Sequence, residues 1–218
     1  MQRFRFARLI LAGTATIATA LFSSAPVLAD ASNWKVGYYT PSGRALSLAN
    51  AKPGAGIASL DFTNQSDTAL LVTMHGASKG DTLGDLTGKT IHATFDVSGV
   101  TGDFMYFGEP SCGGTTANTR LFFQTDNGGG FQYTHYWWSD AAWTPLANGT
   151  FALTAKVEPA GWSDWNGQLG VDQVAGYMDA ASNVTTIGLS FGGGCFFENG
   201  IGTTDGSGTL TLDTFTVG

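Results

Sequence analysis

Thr90–Val97 reads T-I-H-A-T-F-D-V, an octet in which Ile91, Ala93, Phe95 and Val97 alternate with mostly polar residues. Successive side chains of a strand point to opposite faces, so this stretch has one face for a core and one for water. The same period recurs downstream. Gly149-Thr150 leads into F-A-L-T-A-K-V, with Phe151, Leu153, Ala155 and Val157 in phase. Thr209–Val217 alternates Leu210, Leu212, Phe215 and Val217, and its phase breaks at Asp213-Thr214, as a β-bulge would require. Shorter runs at Ile57–Thr63, Ala69–Met74, Asp103–Phe107, Thr119–Thr125, Phe131–Trp138 and Thr185–Phe191 read as further strands, separated by Gly, Asp, Asn and Ser.

About ten short strands without βαβ alternation predict an all-β fold, an antiparallel β-sandwich or jelly roll. One short helix is expected near Asp172–Ala181, ahead of Asn183. Asp30–Gly56 reads as a strand followed by a long irregular connection. With no internal repeat and no Pro/Ser linker, residues 30–218 are expected to form a single domain, of ordinary size for a sandwich.

The first 29 residues carry a different pattern. Arg3, Arg5 and Arg8 precede an apolar run from Leu9 to Phe22, and Val27-Leu28-Ala29 places small residues at a cleavage site. This is the three-part pattern of a signal peptide over residues 1–29, and its apolar run is too short for a membrane anchor. The mature chain is therefore expected to be secreted, extracellular or periplasmic, without membrane insertion. The leader holds three of the ten basic residues and none of the seventeen acidic ones, so the remainder has a formal charge of −10. Such a chain lacks the clustered Lys/Arg that nucleic acid or anionic lipid surfaces require. Two cysteines, Cys112 and Cys195, read as one disulfide in an oxidising compartment. The loop it would close is worth roughly 4–5 kcal/mol in the chain-entropy model.

The densest chemical feature is F-Q-Y-T-H-Y-W-W-S-D-A-A-W at residues 131–143, followed by G-W-S-D-W-N-G-Q at 161–168; together they hold five of the six tryptophans. Trp137 and Trp138 must face opposite sides of a strand, so at most one joins the core there. Aromatic faces beside amides and carboxylates suit sugars, since a ring covers the apolar C–H side of a pyranose while polar groups bond its hydroxyls. On this reading Tyr136, Trp138, Trp143, Trp162 and Trp165 supply rings, and Asp140, Asp164, Asn166 and Gln168 supply polar contacts to a polysaccharide or cell-surface glycan. The competing reading places the rings in the core of a structural or adhesive protein with no small ligand.

A third reading concerns Glu109 and Glu198, each three residues from a cysteine. A disulfide would bring both into one neighbourhood, and carboxylates roughly 5–9.5 Å apart are the machinery of glycoside hydrolysis. Gly-x-Ser-x-Gly occurs at Gly76–Gly80 and Gly188–Gly192, but neither sits in the strand–turn–helix context of a nucleophile elbow. His75, His92 and His135 show no zinc-ligand spacing, and Asp126-Asn127 and Asp205-Gly206 read as turns.

From Leu86 onward the order L-T-G-K-T-I-H-A-T-F, T-R-L-F-F-Q-T, the Trp-rich strands, T-T-I-G-L-S-F-G-G-G and L-T-L-D-T-F-T-V resembles secreted bacterial jelly-roll modules of the galactose-binding-like, carbohydrate-binding type. The resemblance implies a non-catalytic carbohydrate-binding sandwich, and it implies that Asp213 helps to hold a structural calcium. Asn33–Tyr39 departs from the family pattern in holding no matching acidic residue. Apart from that calcium, no cofactor is expected.

Overall fold

Thr90–Val97 lies in β5 (Thr90–Ser98), the inner strand between β13 (Ser207–Val217) and β9 (Gly149–Lys156). β3 (Ala58–Thr63) flanks β13 and completes a four-stranded antiparallel sheet in the order β3-β13-β5-β9. The structure is a computed structural model that describes residues 33–40, 43–65, 67–74, 83–106, 117–126, 128, 130–193 and 200–218. The leader, Cys112 with Cys195, Glu109 with Glu198, His75 and the Gly76–Gly80 motif lie outside the described residues.

The period-2 pattern settles which face of this sheet is inside. Ile91, Ala93, Phe95 and Val97 are buried, as are Leu153, Ala155, Leu210, Leu212 and Phe215. The register of β13 shifts between Leu212 and Thr214, so Asp213 sits in the bulge that the sequence phase required. The opposite face is hydroxylated and bonds within itself. Thr94 Oγ1 lies 2.7 Å from Thr214 Oγ1, while Thr150 and Thr209 donate to Asp96 and Asp61 at 3.1 and 3.2 Å. Threonine suits a strand and covers its polar face without adding charge.

The larger sheet runs in the order β10 (Trp162–Asp164), β8 (Tyr136–Pro145), β7 (Asn118–Thr125), β11 (Val184–Gly192), β4 (Asp67–Thr73), β1 (Trp34–Thr40) and β2 (Gly43–Asn50). β12 (Ile201–Thr203) pairs with β4 and with β6 (Phe104–Tyr106), and every pairing is antiparallel. The two sheets face each other across one apolar core. Rings bridge them: Trp34 meets Phe215 at 5.3 Å, and Phe62 meets Phe104 and Phe191 at 5.1 and 5.4 Å. Helix α1 (Val174–Ser182) packs against this core, with Tyr177 4.9 Å from Trp137 and 5.9 Å from Phe123. The Asn183 N–H bonds Ala180 O and ends the helix. No helix among the described residues is long and apolar enough to cross a membrane.

The antiparallel sandwich is the fold the periodicity predicts, and the differences from that reading are local. Asp30–Gly56 contains a β-hairpin, with Lys35 opposite Asn50, where an irregular connection was expected. The pattern was hard to see because β2 is an edge strand with Leu46 and Leu48 exposed. Phe131–Trp138 is not one strand: a 3-10 turn occupies Tyr133–His135, and Trp137 Nε1 donates to Thr134 O at 2.7 Å, folding that turn back on the strand start.

At the start of β4, half-buried Asp67 sits opposite Tyr39, and Gly200 approaches so closely that a Cβ there would lie 2.7 Å from Asp67 Cβ. Desolvation pushes the Asp67 carboxyl up from 3.8 to about 6. A raised folded-state value favours the protonated form. Its stabilisation is fully present below the ordinary carboxylate range and is lost as pH rises through about 6. Asp67→Asn is therefore expected to raise stability at pH 7.5 by about 1 kcal/mol, a figure reduced for partial exposure, and to change nothing at pH 3.5. Thermal unfolding of both proteins at the two pH values checks this; equal gains at both would refute it.

Candidate functional site

Strand alternation along β8 sends Trp137 into the main core and Trp138 to the outer face of the larger sheet. There Trp138 lies opposite Phe122 and Ser163, its ring 5.1 Å from that of Phe122, and its Nε1 donates to Ser190 Oγ at 2.9 Å. With Ala69, Leu70, Val72 and Phe122 it forms a second apolar cluster on that face. Trp165 packs on Trp138 at 5.8 Å, and Tyr136 packs on Trp165 at 5.4 Å. Phe131 lies 5.4 Å from Trp165, from Tyr136 and from Tyr133. Tyr136 and Trp165 are half-buried, whereas Phe131 and Tyr133 are 57% and 52% exposed. The rings thus form a step that leads from the sheet surface into water.

A bulge builds the polar part. Phe122 faces Trp138 but Arg120 faces Trp143, so β8 accommodates extra residues at Ser139–Ala142. Ser139 Oγ fastens them, accepting the Leu121 N–H at 3.1 Å and donating to Ala142 O at 2.6 Å. Asp140 Oδ1 then receives Arg120 Nη1 at 3.1 Å and Ser163 Oγ at 2.8 Å, while Arg120 Nη1 also reaches Ser139 O at 3.2 Å. Burial lowers the Arg120 pKa, and Asp140 opposes that shift. Beside Arg120 in register, Trp143 is 49% exposed.

The turn after β10 has its own anchor. Asp164 Oδ1 accepts the N–H groups of Asn166 and Gln168 at 2.9 and 2.8 Å, and Gly167 donates to Asp164 O at 2.9 Å. Gly167 adopts φ +74°, a left-handed conformation that glycine takes without strain. The Trp165 N–H reaches Tyr133 O at 3.4 Å, so the turn and the ring step are joined.

The nine residues expected to contact a ligand therefore divide. Tyr136, Asp140, Trp143, Trp165, Asn166 and Gln168 all reach the surface. Trp138, Trp162 and Asp164 require correction, being 1%, 0% and 2% exposed. Trp162 faces inward, 4.7 Å from Phe123, and its Nε1 donates to Lys156 O at 2.9 Å. Asp164 is spent on its turn. Phe131, Tyr133, Arg120 and Ser163 were not foreseen. Gly128-Gly129-Gly130 directly before Phe131 was the available sign that this segment is a turn carrying rings outward rather than a strand.

No family model matches the chain, and no curated protein matches it. Among solved structures the chain is similar to a xylan-binding module, CBM15, at 12% identity and a TM-score of 0.35, over 83% of this chain and 90% of that one. A likeness this loose carries no functional weight.

The remaining expectations concern other chemistry. Asp213 occupies its bulge, and among the described residues no three His, Cys, Asp or Glu side chains gather as metal ligands. His92 Nδ1 pairs with Thr154 Oγ1 at 2.9 Å on the hydroxylated face of the smaller sheet, and His135 is buried in its 3-10 turn. Ser190 lies within β11, without the turn and helix of a nucleophile elbow.

Proposed function

We propose that this protein is a secreted, non-catalytic glycan-binding β-sandwich whose ligand docks on the outer face of the larger sheet. The observation that carries the reading is the ring step of Phe131, Tyr133, Tyr136 and Trp165, two of whose members are more than half exposed although they contact one another. Adjoining large apolar rings left in water mark an interaction surface rather than a core. Trp143 adds a separate ring, and the exposed side chains of Asn166 and Gln168 supply amide partners for hydroxyls. The leader over residues 1–29 supports export, and a polysaccharide or cell-surface glycan is the partner.

Tyr133→Ala and Phe131→Ala test this. Each side chain is more than half exposed, so unfolding midpoints are expected to stay near that of the parent. Affinity for the polysaccharide is expected to fall about tenfold or more, in line with about 1.4 kcal/mol per lost ring contact. Full affinity in the double variant, by isothermal titration calorimetry, would sink the reading.

A further inference from the structure

We infer that the ligand of this face is a single uncharged glycan chain, not the flat surface of a packed polysaccharide and not a polyuronate. The inference rests on the glycan reading and names its ligand class. Its first support is the attitude of the rings. A crystalline polysaccharide presents a plane, and binding it calls for rings lying side by side in one plane. Here Phe131 stands at 85° to Tyr133 and 88° to Trp165, and Tyr136 stands at 64° to Trp165. Phe131 and Tyr136 are nearer to parallel, at 31°, but their centroids are 5.4 Å apart. Tilted at that separation, the two rings do not make a plane. A free glycan chain twists along its length, turning the C–H face of each sugar relative to the last. Rings set at steep angles can meet successive sugars of such a chain, whereas a flat surface could engage only one of them.

The second support is charge. Arg120 is the sole Lys or Arg in residues 117–145 and 161–169, the segments that carry the ring step and its polar neighbours. Its Nη1 is already held by Asp140 Oδ1 and Ser139 O. The same segments carry the carboxylates of Asp126, Asp140 and Asp164, and the whole chain has a formal charge of −7. A polyuronate would bring a row of carboxylates into that field with no uncommitted guanidinium or ammonium in these segments to meet them. Neutral hydroxyls suffer no such repulsion, and they match the exposed amides of Asn166 and Gln168.

The experiment compares three kinds of probe against the secreted protein and its Tyr133→Ala variant. Soluble neutral polymers (xylan, galactomannan and mixed-linkage β-glucan) and soluble polyuronates (polygalacturonate and alginate) are tested by affinity electrophoresis. Microcrystalline cellulose and chitin are tested by pull-down. The expected result is retardation by at least one neutral soluble polymer, reduced about tenfold in Tyr133→Ala. Retention on the crystalline solids and on polyuronates is expected to be at least tenfold weaker. Stronger Tyr133-dependent binding to a crystalline solid would overturn the single-chain assignment, and stronger binding to a polyuronate would overturn the neutral one. Either outcome leaves the glycan reading standing. Absence of binding to every probe would overturn both.

Discussion

Trp162→Ala is expected to lower folding stability by about 3–5 kcal/mol, the usual cost of emptying a buried aromatic site. The indole is fully buried on a strand of only three residues at the end of the larger sheet. Its ring meets Phe123 at 4.7 Å, and its Nε1 ties that strand to Lys156 O at the end of β9. So short a strand has little backbone pairing of its own, and the ring is its principal hold on the core. Against the roughly 5–15 kcal/mol by which a domain is stable, the loss leaves a protein that is marginal at 37 °C. Urea unfolding followed by fluorescence measures it. Tyr133→Ala supplies the contrast, with weakened binding in a stable fold. A Trp162→Ala protein that unfolds like the parent yet loses its glycan would place the ring at the ligand after all.

That contrast shows what the sequence could and could not say about the site. Alternation in T-I-H-A-T-F-D-V, F-A-L-T-A-K-V and T-L-T-L-D-T-F-T-V identified strands of the smaller sheet, their core face and the Asp213 bulge, because each strand there buries one face and wets the other. The larger sheet buries apolar residues on both faces, as β4 shows with Leu70, Leu71 and Val72. A strand of that kind reads as a continuous apolar run, which hides its orientation. The same property obscured the tryptophans. The rule that Trp137 and Trp138 point oppositely was correct, but the outward ring is covered by Trp165, which lies distant in sequence, and by Tyr136, two residues earlier on the same strand.

Tryptophan count was therefore a poor guide to ligand contact. Trp162 and Trp165 stand three residues apart, yet one is core and the other belongs to the surface step. The difference is that Trp162 points inward from β10, whereas Trp165 lies in the turn beyond it, which Asp164 caps and which needs Gly167 at positive φ. Asp164 looked like a sugar ligand because a carboxylate that caps its own turn has the same composition as one that waits for a hydroxyl. Arg120 and Ser163 were invisible for a further reason. They meet at Asp140 only because Ser139–Ala142 bulges, and bulge geometry comes from cross-strand register.

Gly188→Ala is expected to cost about 3 kcal/mol, the upper part of the overpacking range. A Cβ at this position would lie 2.1 Å from Leu71 O and 2.8 Å from Val72 Cα. Those obstacles are backbone atoms of the adjacent strand, so no rotamer change can relieve them, and β11 must move away from β4. Both strands lie in the interior of the larger sheet, where Gly188 is opposite Val72 on one side and Phe122 on the other. The movement would also reach the proposed binding face, since Ser190, two residues on, accepts the Trp138 indole N–H. Close approach of a neighbouring backbone thus accounts for the glycine that opens the second Gly-x-Ser-x-Gly match, without any role in a nucleophile elbow. Gly161→Ala is the control. A Cβ there meets nothing within 4 Å, so its effect is expected to stay within about 0.5 kcal/mol. Urea unfolding of the two variants side by side measures the difference. If Gly188→Ala were as mild as Gly161→Ala, the β11–β4 approach would be looser than the structure shows. If it lowers stability and also weakens glycan binding, the sheet spacing set by Gly188 is what holds the Trp138 floor beneath the ring step.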